Sequence, residues 1–527
     1  MENKHKEKLT IEKLIETINE EINGILRANL YEIGLNDEEL KRLRIRKREL
    51  RSALKNCGVG DIYSKEYTKA AIKNILLDKL HISEDDISDI ICFNKLSKLS
   101  IKDKFDIVLF QYKKKYKYDG FIKMADEFGL LEPIHTANGL KYEISKEDVE
   151  DIFNSVYVHK TFEEKLDILI QRIYERYRGL GVIDELRDMK IDGISGGVSG
   201  RDGDYHSVWA FIRGKTVHIS FMDFENEDEL ERICMNIYRY NHPGQLSMTR
   251  GYIVNEMKDH SRVVVVRPPF AESFAFFVRK FDTIEHKDLR ELITDDNNEI
   301  VISVLKWIVK GCQVCGITGA QGSGKTTLLM ALIAYIPQTY TLRIQELAFE
   351  LHLRDVYTDR NILTFQETDF ISGQEGLDLQ KKTDGVVNIL GEVASAPVAS
   401  WLVQMAMVAS LFTMFTHHAK TTESLIKYLR NCLLTDGSFR NEKIAEEQVV
   451  DVIRFDIHME KDINGHRYIE RISEIVSENG SYKIVDIVKY DNGRYVKKAD
   501  FSQKVMKNMV LHMTKEEGKE FIEEYGV

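Results

Sequence analysis

The chain has 527 residues, which at roughly 100–200 residues per domain predicts two to four domains. Hydrophobic residues make up 43% and charged residues 30%, which excludes wholesale disorder and a fibrous fold, and 6 prolines leave no Pro-rich linker. The formal net charge of −11 argues against nucleic acid as the principal partner.

The polar first ten residues lack the apolar stretch of a signal sequence. Six scattered cysteines (Cys57, Cys92, Cys234, Cys312, Cys315 and Cys432) fit a reducing cytoplasm. Residues 1–150 form an expected helical region, with Leu9, Ile11, Leu14, Ile15, Ile18, Ile22 and Ile25 at helical spacing. A basic run (Lys41, Arg42, Arg44, Arg46, Lys47, Arg48, Arg51, Lys55) and a second one, Lys113-Lys114-Lys115-Tyr116-Lys117-Tyr118, suit either an anionic surface or the solvated faces of lysine-rich helices. The flanking Glu38, Glu39, Asp85 and Asp86 favour the solvated faces.

Residues 151–285 change to short β-rich runs and are expected to form a smaller α/β domain. Residues 208–212 and 217–221 flank Arg213-Gly214-Lys215 as a hairpin, and residues 262–267 form a strand stopped by Pro268-Pro269. From 290 to 527 strands alternate with helices, which predicts a mainly parallel sheet covered by helices. Within that span residues 397–416, broken by Ser400, Gln404 and Ser410, read as a buried helix and then a buried strand, too interrupted to cross a membrane. One charged helix over 501–525 is expected to close the chain.

The strongest motif is Gly319-Ala320-Gln321-Gly322-Ser323-Gly324-Lys325-Thr326, followed by Thr327, a complete G-x-x-x-x-G-K-[ST] between an apolar strand and a helix. Its glycines let successive backbone N–H groups turn inward around a phosphate, and the helix N-terminus adds positive potential. Lys325 is expected to neutralise the β- and γ-phosphates and Thr326 to ligate Mg²⁺. Cys312 and Cys315, a lone C-x-x-C, are expected to be strand packing. Hydrolysis also needs carboxylates. Glu392 ends the apolar run 386–390 just past Gly391, and Glu346 and Glu350 follow the short strand 340–344. Residues 412–419 end in His417-His418-Ala419, where a histidine would either sense the γ-phosphate or be a hydrogen-bonded core residue.

Taken in order, these elements resemble the secretion ATPases of the type II/type IV superfamily, most closely those of tight-adherence pili. The phosphate loop, an Asp box at Glu346/Glu350, Gly391-Glu392 and a His box at Thr416-His417-His418-Ala419 occupy the family's successive slots. Gly179-Leu180-Gly181-Val182-Ile183-Asp184-Glu185-Leu186 looks like the Gly-x-Gly-x-Leu-x-x-Leu motif of the family's N-terminal domain. The resemblance implies a RecA-like P-loop domain preceded by a smaller α/β, PAS-like domain, with the N-terminal helical region outside the match. It further implies ATP and Mg²⁺ as cofactors, a hexameric ring, an inner-membrane platform protein as partner, and a cytoplasmic site at the membrane's inner face. By resemblance Glu392 acts on the attacking water, Glu350 or Glu346 is the Asp-box carboxylate, His418 is the His-box residue and Arg279 reaches the γ-phosphate as an arginine finger.

Two departures stand out. Leu347 fills the usual aspartate slot, and Ala394 stands where Gly-Glu-Val-Arg has its arginine. An alanine makes none of arginine's bidentate contacts. An ATP-hydrolysing motor is therefore set beside an alternative, a nucleotide-binding ring component with weak or lost hydrolysis that acts as a conformational scaffold. A nucleic-acid translocase is a third reading, supported by the basic helices alone.

Overall fold

The computed structural model describes residues 9–27, 37–137, 139–200, 206–242, 244–281, 288–346, 349–367, 371–408, 410–462, 465–478 and 481–526. The chain divides into two units, Met1–Thr283 and Ile284–Val527.

Among the described residues, the first unit is built on eight strands: β1 (Ile134–Thr136), β2 (Gly139–Ile144), β3 (Gly193–Val198), β4 (Ser207–Ile212), β5 (Lys215–Asp223), β6 (Tyr252–Glu256), β7 (Arg262–Val266) and β8 (Ala275–Arg279). Their order in the sheet is β1-β2-β5-β4-β3-β8-β7-β6. The β4–β5 hairpin turns on Arg213 and Gly214, both at positive φ, the pairing that matches the twist of the two strands. The segment 1–150 is largely helical, as expected, and also contributes strands. β1 and β2 lie inside it, and β2 joins the sheet by parallel pairing with β5. Its Leu140, Tyr142 and Ile144 alternate with Lys141 and Glu143, the period-2 pattern of a strand, and the parallel pairing with β5 far along the chain places it in the sheet. Helices and sheet share one apolar cluster in which Leu14, Ile107, Ile170, Val208 and Val263 are all buried, and Phe105 packs 4.9 Å from Phe221 of β5.

The Gly-x-Gly motif has a structural task in this unit. Asp184 accepts the Leu180 N–H at 2.9 Å. Lys65, on the helix Ile62–Asn74, sits among Asp184 (2.6 Å), Asp188 (2.7 Å) and Glu185 (2.9 Å). Burial opposes the ammonium charge, but the three carboxylates outweigh it and hold the Lys65 pKa well above its ordinary value.

The second unit holds β9 (Cys315–Gly319), β10 (Leu342–Glu346), β11 (Ile362–Gln366), β12 (Val387–Leu390), β13 (Phe412–His417), β14 (Phe455–Lys461), β15 (Arg467–Glu478), β16 (Ser481–Asp491) and β17 (Arg494–Lys497). The order is β11-β10-β12-β13-β9-β14-β15-β16-β17. β11 through β14 are mutually parallel, and β15, β16 and β17 extend the sheet as an antiparallel meander. The parallel strands are apolar because helices cover them, among them Asn298–Lys310, Lys325–Leu332 and Ala396–Val408. Residues 397–416 are the helix Ala396–Val408 and then β13, and no helix among the described residues is long and apolar enough to cross a membrane.

The single closing helix is corrected to two, Gln503–Val510 and Lys515–Tyr525. Thr514 and Glu517 form a capping box that starts the second. That helix is docked rather than solvated. Trp307 Nε1 donates to Glu524 at 2.9 Å, and Phe521 packs 5.4 Å from the Trp307 ring.

Candidate nucleotide site

β9 runs directly into the loop 319–324, and the helix Lys325–Leu332 begins at its end. Gly319, Gly322 and Gly324 all have positive φ, the left-handed backbone that curls such a loop. A Cβ at Gly319 would lie 2.1 Å from the Met459 carbonyl oxygen, so β14 admits only glycine there. Lys325 Nζ donates to the Gly319 and Ala320 carbonyls at 2.9 and 2.8 Å. Burial, the largest influence, pulls its pKa down to about 8 against the opposing charge of Glu392.

The strand order explains how distant motifs meet. β13 lies between β9 and β12, and because all three run parallel, their C-terminal ends line one edge of the sheet. The Val393 N–H donates to the Thr416 carbonyl at 3.0 Å, tying the two strand ends together. His418 spans the edge, with Nδ1 3.3 Å from Lys325 Nζ and Nε2 3.2 Å from Glu392 Oε1. Since an ammonium only donates, Nδ1 is the acceptor from Lys325, and Nε2 on the far side of the ring lies within ion-pair distance of the carboxylate. Lys325, His418 and Glu392 thus form one continuous chain.

His417 has the other fate that the sequence left open. It is buried, its Nδ1 accepts the Ala419 N–H at 2.9 Å, and its ring lies 4.4 Å from Tyr428. Burial lowers its pKa to about 4, helped by His418 and Lys325. Glu346 ends β10, buried, and its Oε1 accepts the N–H groups of Glu350 (3.0 Å) and Leu351 (2.9 Å). It pins the loop that carries the half-buried Glu350, whereas Leu347 lies outside the described residues. Arg279 ends β8 in the first unit, exposed. Cys312 and Cys315 are buried, and burial pushes both thiols up to about 12.

The sequence reading missed a buried polar layer behind the loop. Thr318 and Thr422 each donate to a different oxygen of Asp456 at 2.6 Å, and Thr318 also lies 2.8 Å from His458. Burial raises the Asp456 pKa against those hydrogen bonds. The signal was an aspartate inside the apolar run of β14, between Phe455 and Ile457. It also missed Arg467, whose Nε donates to the Gly322 carbonyl at 2.9 Å.

The donor set suits Mg²⁺. The Thr326 hydroxyl opens the helix beside Lys325 and is bonded to no described residue, and Glu392 offers a second hard oxygen at the same sheet edge. The buried Ser323 hydroxyl also has no partner among the described residues, as expected of a cradle shaped for an oxyanion.

No protein-family model matches the chain, and no curated protein does. Among solved structures it is similar to the VirB11 ATPase from the Brucella suis type IV secretion system, in complex with sulphate, at 17% identity over 54% of this chain and 89% of that one, with a TM-score of 0.30. The Legionella pneumophila ATPase DotB matches at 16% identity over 63% and 83%, with a TM-score of 0.40. The pilus retraction motor PilT with bound ADP matches at 17% identity over 58% and 82%, with a TM-score of 0.41. These three structures are two ATPases, one of them from a type IV secretion system, and a pilus retraction motor.

Proposed function

We propose that the chain is an ATP-hydrolysing motor of a type II/type IV-like secretion or pilus-assembly machine. The observation that carries this reading is the Lys325–His418–Glu392 chain along the edge where the phosphate loop opens. Incoming phosphates offer Lys325 stronger acceptors than the carbonyls of Gly319 and Ala320, and the loop's N–H groups and Lys325 then hold the β- and γ-phosphates. Thr326 would ligate Mg²⁺, which supplies charge neutralisation between those phosphates. Glu392 orients the attacking water, and His418 holds Glu392 while reading the occupancy of the γ-phosphate site through Lys325. Glu346 acts by fixing the Asp-box loop, with Glu350 as the carboxylate left to face the nucleotide. Arg279 supplies the finger, in a hexameric ring that works in the cytoplasm against a membrane platform protein, the tight-adherence machines being the nearest by motif order.

A scaffold with lost hydrolysis is the second reading. It is favoured by Ala394 and by a buried Glu346 whose Oε1 is engaged by backbone. Steady-state ATP turnover separates the two. The motor predicts turnover that vanishes in Lys325→Ala and falls at least about 100-fold in Glu392→Gln, with ATP binding retained in the latter. Wild-type turnover no higher than that of Lys325→Ala, despite measurable ATP binding, would leave only the scaffold.

A further inference from the structure

The middle of the phosphate loop has little packing of its own. Gly322 sits at positive φ, and a Cβ there would meet nothing within 4 Å. Glycine leaves both orientations of the following peptide within reach. What touches this peptide from outside is Arg467, at the tip of the β14–β15 hairpin, through Nε on the Gly322 carbonyl at 2.9 Å. In a planar trans peptide the carbonyl and the next N–H point in opposite directions. Fixing Gly322 O therefore fixes the Ser323 N–H, which donates to the Ala320 carbonyl at 3.3 Å and closes the turn. That same Ala320 carbonyl accepts from Lys325.

The hairpin tip is itself anchored. His466 Nε2 lies 3.0 Å from Asp295 Oδ1, and the Tyr490 hydroxyl donates to the same oxygen at 2.9 Å. The Tyr468 ring stacks 4.3 Å from Tyr490 and 5.7 Å from His466. On the other side, β14 pairs with β9 with Met459 opposite Gly319. Arg467 is thus held on a rigid support, and its two Nη groups are bonded to no described residue.

We propose that Arg467 is a positioning residue that braces the phosphate loop through the Gly322 carbonyl and keeps its turn set for phosphate. This rests on the nucleotide reading of the loop. Loss of one charge-assisted hydrogen bond predicts that Arg467→Ala weakens ATP binding about tenfold, with KM rising more than kcat falls. Lysine keeps a cationic donor within reach of the carbonyl, so Arg467→Lys restores most of the affinity.

The test measures ATP affinity by displacement of a fluorescent nucleotide, together with backbone hydrogen exchange at residues 319–324 without nucleotide, in the full chain. Faster exchange in the loop of Arg467→Ala, with an unchanged melting temperature, supports the brace. Unchanged exchange and affinity in Arg467→Ala, beside a Lys325→Ala variant that loses binding, overturns the brace alone. Failure of lysine to rescue also overturns it. ATP binding by Lys325→Ala as tight as wild type would sink the nucleotide reading and the brace with it.

Discussion

Lys325 shows how one residue can be legible in sequence and still carry information that only its surroundings supply. The motif points it at a phosphate, while burial lowers its pKa to about 8. The sign of the resulting pH dependence follows. Bound phosphates stabilise the ammonium and raise its pKa again, so binding above pH 8 must take up a proton. ATP affinity should be flat just below pH 8 and then weaken by up to about tenfold per pH unit above it. Calorimetric titration from pH 7 to 9.5 checks this, and Lys325→Arg, whose charge does not titrate in that range, should flatten the profile. His417 and His418 make the same point. Adjacent in sequence, they take opposite environments, because alternate side chains at a strand end face opposite sides. One is buried beside Tyr428, and the other is half-exposed between Lys325 and Glu392.

At the scale of elements, ion pairs decide much of the first unit. Lys65 joins the helix Ile62–Asn74 to the short helix Asp184–Asp188 that carries Asp184, Glu185 and Asp188, and all four side chains are largely buried. Replacing Lys65 with methionine removes the cation that the three carboxylates share, leaving Glu185 with Lys113 and Asp188 with Arg187. Removing one partner of a buried pair costs about 3–5 kcal/mol, so Lys65→Met should show a clear loss of denaturant stability in this unit. Glu185 and Asp188 have pKa values held below the ordinary range, where burial works against the charge but Lys65, joined by Lys113 at Glu185 and Arg187 at Asp188, outweighs it. Groups with depressed pKa stabilise the fold above their unfolded pKa, so the wild-type advantage over Lys65→Met should shrink as pH falls below about 4. The three carboxylates lie close enough together to resemble a metal site, but the Lys65 ammonium fills their centre.

For the whole molecule, the division into Met1–Thr283 and Ile284–Val527 goes with two separate apolar clusters. Each unit has its own core, so urea unfolding should show two transitions rather than one. ATP at about 100 times its dissociation constant should stabilise the one containing the phosphate loop by about 2.7 kcal/mol and leave the other in place. A single transition that moves as a whole with ATP would show the units to be energetically coupled.

The sequence alone determined the elements whose signal is local. The phosphate loop reads from its glycines and Lys325, the Arg213-Gly214 hairpin from its turn chemistry, and the alternating strands and helices of the second unit from their periodicity. It also marked Glu392 and the pair His417-His418 as residues out of keeping with apolar strand ends. Tertiary structure decided what depends on strand order. The insertion of β13 between β9 and β12 brings Lys325, His418 and Glu392 to one edge although 93 residues separate Lys325 from His418. It also paired β2 with β5, buried Asp456 behind the loop, and set Arg467 on Gly322. Local patterns record what a segment does with its near neighbours, whereas pairing between distant strands is fixed by the burial of the whole sheet and leaves no local trace.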